Sequence, residues 1–192
     1  ILHRYEHDLA GFCEYARTDS RLVLEILDKM DLIELTLARS RLTGMTPDRV
    51  AASIASFDFV YLSELSRRKL VAPSVRSSDS RVHQAQTGGY VMAPRVGLHE
   101  NVWVFDFKSL YPSIMRTFNI DPLARARAHS SVDTNTLIEL ADGTTFMRDD
   151  AVLPDLLAGL FAERQSAKER GDGVASQAIK ILMNSFYGVL GT

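Results

Sequence analysis

A run of apolar residues from Val102 to Phe105 ends abruptly in a carboxylate, Asp106. The run, Val-Trp-Val-Phe, shows no polar alternation and is rich in β-branched and aromatic side chains. That pattern predicts a strand buried on both faces. Ser109 then offers a helix cap, and Pro112 falls in the following first turn, where a missing amide proton costs nothing. Asp106 is therefore expected where a buried strand gives way to a helix. A carboxylate there is costly unless it is paired or holds a cation.

A second informative region lies near the other end. Leu153-Pro154-Asp155 opens a helix expected to run to about Arg170, with Leu156, Leu157, Leu160 and Phe161 on its apolar face. Gly171-Asp-Gly173 ends it, and a second helix is expected from Val174 to Tyr187, with Ala178, Ile181, Leu182 and Ser185 on one side. Two helices joined by a glycine-containing turn make an antiparallel hairpin. Arg164 and Lys168 are one turn apart on the first helix; Lys180 and Asn184 are one turn apart on the second, with Tyr187 a further turn along. A rise of about 1.5 Å per residue stacks each set. If the faces coincide, three cations converge, and like charges converge only around an anion. A triphosphate fits, since Arg offers a fork to phosphate oxygens and Lys a point charge. The plain alternative is a set of ordinary surface charges, because Glu163 and Glu169 lie beside them.

Residues 9 to 42 are expected to form one long helix, with Val23, Ile26, Leu27, Met30, Ile33 and Leu37 along one face and Gly44 as its stop. Tyr15 and Asp19 stand one turn apart ahead of that stripe, a pair that on its own reads as solvated surface. Thr46-Pro47 predicts a short helix. Another is expected from Phe57 to Lys69, with Phe59, Leu62 and Leu65 as its stripe and Arg67, Arg68 and Lys69 as a basic end. That end reads first as a solvated terminus complementing the helix dipole, and second as a contact to a nucleic-acid backbone. From Ala72 to Gly89 the chain turns polar and serine-rich, a linker and the best domain boundary. Gly88-Gly89 then permit either close backbone approach or a plain turn before a strand. Asp121-Pro122 is expected to break the chain, Leu123 to Ala128 to form a strand, and Leu137 to Phe146 a hairpin turning at Asp142-Gly143. The fold class is α+β, mostly helical.

At 192 residues the chain is long enough for one domain or two small ones. A single cysteine, Cys13, excludes an internal disulfide and a cysteine-rich zinc site, and fits a reducing, cytoplasmic setting. No apolar run approaches the roughly 20 residues of a membrane span. A net charge of −2 neither marks nor excludes a nucleic-acid binder, since acidic and basic residues can be segregated. The polar start without Met and the end at Gly191-Thr192 predict an excised piece of a longer chain.

Asp106-Phe-Lys-Ser-Leu-Tyr-Pro-Ser-Ile114 closely resembles motif A of the family B DNA polymerases, D-x-x-S-L-Y-P-S-I. Lys180-Ile-Leu-Met-Asn-Ser-Phe-Tyr-Gly188 resembles their motif B, K-x-x-x-N-S-x-Y-G, and Tyr15-Ala-Arg-Thr-Asp19 their third exonuclease motif, Y-x-x-x-D. The text flanking motifs A and B is most similar to the bacterial branch. The Y-x-G-G element is matched only in part, because Gln86 stands in place of its Tyr.

The resemblance implies a partial polymerase fold. Residues 1–42 would end the exonuclease domain, 43–95 form a helical region and linker, 96–152 begin the palm, and 153–192 make the fingers hairpin. It implies that Asp106 and the Phe107 carbonyl bind metal in a site of two Mg²⁺ ions, and that Lys180 joins Asp106 in the catalytic set. Ser109 and Leu110 would offer amides to a triphosphate. Tyr111 would lie under the sugar and exclude a 2′ hydroxyl, though it also reads as a packing tyrosine. Arg164, Lys168, Lys180 and Asn184 would hold the nucleotide. Gly88, Gly89, Tyr187 and Gly188 would meet DNA. Asp19 would bind a metal for proofreading, with Tyr15 positioning water.

The implied partners are primer-template DNA, deoxynucleoside triphosphates and a sliding clamp through parts outside this chain, in a nucleoid-associated protein with no membrane. The first two exonuclease motifs and the D-T-D motif that completes the metal site do not occur in this sequence, so the segment alone is expected to catalyse nothing. Two rival readings are a non-catalytic DNA-binding or scaffold module descended from a polymerase, and a nuclease built on Asp19 and Asp106. The nuclease has too few carboxylates.

Overall fold

The computed structural model describes residues 1–74, 90–131 and 133–190. In chain order the described residues form α1 (Leu2–His7), α2 (Leu9–Lys29), α3 (Leu32–Thr43), α4 (Ser53–Arg67), α5 (Leu110–Thr117), α6 (Pro122–Ala128), β1 (Leu137–Glu139), β2 (Thr145–Met147), α7 (Leu153–Glu169) and α8 (Gly173–Leu190). The mixed, mostly helical class read from the sequence holds. The glycines at 88 and 89 lie outside the described residues.

α8 organises the core. Ile179, Leu182, Met183 and Phe186 recur at helical steps and are all buried. The expected face is slightly rotated: Ala178 and Leu182 are inside, but Ile181 and Ser185 sit half-buried at its margin. Phe57, Tyr61 and Leu65 of α4, Met115 of α5, and Val152, Leu153 and Leu157 around the start of α7 complete one cluster. The Phe57 ring meets Phe186 edge-on at 5.7 Å and stacks on Tyr61 at 5.1 Å. The expected α4 stripe is corrected, since it shares only Leu65 with the buried face; Phe59 and Leu62 point to solvent. α7 and α8 pack together as a hairpin through Gly171, whose φ is 72°.

Several expectations give way to tertiary or capping effects. The long helix at 9–42 divides at Asp31, which adopts a left-handed φ of 49° that a short polar side chain tolerates. Gly44 does stop α3, with a φ of 77° and its N–H donating to the Ser40 carbonyl. Val23, Ile26, Met30, Ile33 and Leu37 are exposed, so their stripe is no part of the core. Thr46-Pro47 leads into a turn, not a helix: Arg49 donates to Thr46 and Ala52 to Arg49, bonds that close single turns. Leu123 to Ala128 is helix α6, not strand. Asp121 caps it by accepting from the Ala124 N–H at 2.8 Å, and Pro122 occupies the first position, so the Asp-Pro pair starts a helix. The hairpin at 137–147 forms as expected, with Ile138 opposite Phe146 and Gly143 at φ 81°.

Asp121 does more than cap α6. It is 1% exposed, and its Oδ1 accepts from both the Tyr61 hydroxyl, at 3.0 Å, and the Leu153 N–H that begins α7, at 2.9 Å. The Tyr61 oxygen in turn accepts from the Leu123 N–H. Burial, and then the Asp121 charge, push the Tyr61 hydroxyl well above the ordinary phenol range, so it stays protonated and donates. Five donor and acceptor groups, joined by four hydrogen bonds across α4, α6 and the start of α7, thus satisfy one another.

A second tie uses the basic end of α4. Arg67 and Arg68 both bond Glu64 at 2.8 Å, and Arg68 also reaches Asp155 of α7 at 2.9 Å and the Ala151 carbonyl. Arg127 of α6 pairs with Asp150, which also lies 3.6 Å from Arg68. The expected solvated terminus is therefore, at Arg68, an ion-paired joint to α7.

Replacing Asp121 by Ala strands two N–H donors and the Tyr61 hydroxyl and is expected to cost about 3–5 kcal/mol. Tyr61→Phe removes one donor and should cost about 1–2 kcal/mol. Urea unfolding measures both, and equal small losses would contradict the network. Arg67, then Arg68, hold the Glu64 carboxyl at about 2, below its ordinary 4.5. Its pKa is lower in the folded state, so its contribution is present above pH 4.5 and is lost as pH falls toward 2. Wild type is expected to lose stability across that window more steeply than Glu64→Gln, by on the order of 2 kcal/mol after screening at exposed Arg67. Parallel pH curves for the two proteins would refute this.

Candidate functional site

The segment from Val102 to Phe107 is extended but unpaired, and its side chains are exposed; Phe105 is 86% accessible. This corrects the expectation of a strand buried on both faces. Backbone pairing makes a strand, and the only paired strands among the described residues are β1 and β2, which pair with each other. Trp103 and Phe105 lie on the same side of the extended chain, their rings stacked 6.5 Å apart. Asp106 is exposed just before the turn into α5.

Ser109 occupies the cap position of α5, but in a left-handed conformation with φ 54° and no side-chain cap bond. Its expected capping role is corrected accordingly. The left-handed turn leaves the first amides of α5 without helical acceptors. Pro112 sits in the first turn as expected and is buried with Met115. Leu110 and Tyr111 face outward, 39% and 46% exposed.

α5, which follows Asp106, packs against the α7–α8 hairpin, with Arg116 over the Phe161 ring of α7. Tyr111 of α5 stacks on Tyr187 of α8, with ring centroids 3.7 Å apart and planes within 13°. A hydrogen bond to Tyr111 raises the Tyr187 hydroxyl above its ordinary value, with the Tyr111 charge adding to the effect. Both helices are anchored in the core close by. Met115 lies one turn beyond Tyr111 and Met183 one turn before Tyr187, and both methionines belong to the central cluster. No local pattern signals this contact, because 76 residues separate the two tyrosines.

On the hairpin, Arg164 is half-buried on α7, while Lys168, Lys180 and Asn184 are exposed. None of the three cations forms an ion pair with a described residue. The Arg164 Nε is buried and lacks a hydrogen-bond partner among the described residues. An unmet guanidinium donor is costly, and an anion would satisfy it. Gly188 lies exposed in α8, and a Cβ built there meets no atom of the described residues within 4 Å. Nothing in the packing of the described residues calls for glycine at that position.

Tyr15 and Asp19 face each other on α2, which buries no residue. Hydrogen bonding to Asp19, and then its charge, raise the Tyr15 hydroxyl above its ordinary value. No group of three His, Cys, Asp or Glu able to hold a metal occurs among the described residues. Asp106 and Asp19 are thus single carboxylates, and neither is a complete metal site. No helix among the described residues is long and apolar enough to cross a membrane.

Residues 51–192 match the model of DNA polymerase family B. The whole chain is 37% identical over 192 residues to DNA polymerase II of Escherichia coli strain K12, covering 24% of that protein. It is 32% identical over 201 residues to DNA polymerase 1 of Pyrococcus abyssi, covering 95% of this chain and 25% of the relative. Against the DNA polymerase of Thermococcus gorgonarius it is 31% identical over 200 residues, covering 95% of this chain and 25% of the relative. The chain therefore spans about a quarter of the length of these relatives. With residues 51–192 fitting the family model, the chain belongs to family B of the DNA polymerases.

Proposed function

We propose that this chain is the part of a DNA-directed DNA polymerase that selects and grips the incoming nucleotide. The longer protein would add deoxynucleotides to a primer 3′ end on a DNA template. The observation that carries this reading is the Tyr111–Tyr187 stack, which joins the carboxylate-bearing turn to the cationic hairpin. On this reading residues 1–42 end an exonuclease domain, 43–95 are a helical region and linker, 96–152 begin the palm and 153–192 are the fingers.

Arg164, Lys168 and Lys180 neutralise and orient the triphosphate, and the Arg164 Nε, without a partner among the described residues, supports that assignment. The amides of Ser109 and Leu110 bind phosphate oxygens at the start of α5. Tyr111 closes off the 2′ position of the sugar. Asn184, Tyr187 and Gly188 face the nascent base pair, with the open space at Gly188 leaving room for it. Positioning and charge neutralisation are what phosphoryl transfer asks of a protein.

Asp106 and the Phe107 carbonyl would supply one corner of a Mg²⁺ shell and not a two-ion site, so further carboxylates would come from outside the described residues. Bound Mg²⁺ would polarise the phosphates and lower the pKa of the attacking hydroxyl. Tyr15 and Asp19 would belong to a proofreading site completed elsewhere, and the 192-residue segment alone is inactive.

Primer extension by the full-length polymerase carrying this segment tests the reading. Asp106→Ala is expected to reduce synthesis by about a thousandfold or more, the scale at which charge stabilisation in a transition state is lost. Lys180→Ala should raise the KM for the nucleotide about 10–100-fold, the worth of a charged phosphate contact. A wild type that binds primer-template without extending it would favour the scaffold module instead.

A further inference from the structure

We propose that Tyr187 is a positioning residue for sugar selection, holding the Tyr111 ring in place by stacking on one of its faces. The inference rests on the polymerase reading above and assigns Tyr187 a task beyond its contact with the base pair. An aromatic ring excludes a 2′ hydroxyl only if it cannot swing aside. Tyr111 projects from the first turn of a short helix and is 46% exposed, so its own helix packing does not fix it. Tyr187 covers one face of that ring at 3.7 Å, almost parallel to it. Its own position is firm: just ahead of it α8 is anchored in the core by Met183 and Phe186, which are 2% and 0% exposed. Rotating Tyr111 away from the sugar therefore means breaking the stack or dragging it off a rotamer minimum.

The test uses the full-length polymerase and compares kcat/KM for dATP and ATP opposite the same template thymine. The base pair is identical in the two reactions, so any loss of Tyr187 contact with the base cancels in the ratio. Tyr187→Ala is expected to lower the preference for dATP by up to about tenfold, the scale of one stacked aromatic pair. Tyr187→Phe keeps the ring and should keep most of the preference. In a Tyr111→Ala background, Tyr187→Ala should cause no further loss. An unchanged ratio in Tyr187→Ala, or the same fall with Tyr111 already removed, overturns the inference while leaving the polymerase reading intact. Failure of the wild type to incorporate dATP at all overturns both.

Discussion

The buried Asp121 carboxylate ties the fold together. A charge in a dry interior is destabilising unless every lone pair finds a donor. Here the donors are the starts of α6 and α7 and the hydroxyl of Tyr61 on α4. Each partner has its own need to be satisfied, since a helix start leaves amides without acceptors. The result fixes where α7 begins relative to α4. The packing of α8 against both follows from that. Arg68 reinforces the same joint from the surface, linking Glu64 of α4 to Asp155 of α7.

The network also bears on the site. α5 and α8 enter the same core cluster through Met115 and Met183. Tyr111 and Tyr187 lie one helical turn from those methionines, so core packing brings together the two helices whose rings stack. A surface contact between half-exposed rings is placed by buried neighbours, which suits a site that must stay open to a ligand yet hold its shape.

Elements whose information is local were legible in the sequence. The α7–α8 hairpin, the Asp142-Gly143 turn and the Gly44 stop were all read correctly, because periodicity and left-handed glycine positions are local signals. What was misread depended on partners distant in the chain. Val102 to Phe105 looks like a strand by composition, but pairing decides, and no described strand is beside it. The α4 face could not be chosen between Phe59 and Phe57 without knowing where Phe186 would lie. Asp121-Pro122 was the avoidable miss, since a cap residue followed by proline is a helix start as readily as a break. Of the site residues, the motif positions were visible as text. The meeting of Tyr111 with Tyr187, and the Arg164 Nε without a partner among the described residues, needed three dimensions.

The central claim is that Asp106 and the cationic face of α7 and α8 act on one triphosphate. The most direct measurement is a structure of the full-length polymerase with primer-template, Mg²⁺ and a non-hydrolysable deoxynucleoside triphosphate. The account predicts an Asp106 oxygen in the metal shell and the Arg164 guanidinium on a phosphate, with the sugar against Tyr111. A triphosphate bound away from the α7–α8 hairpin, or Asp106 remote from any metal, would contradict it.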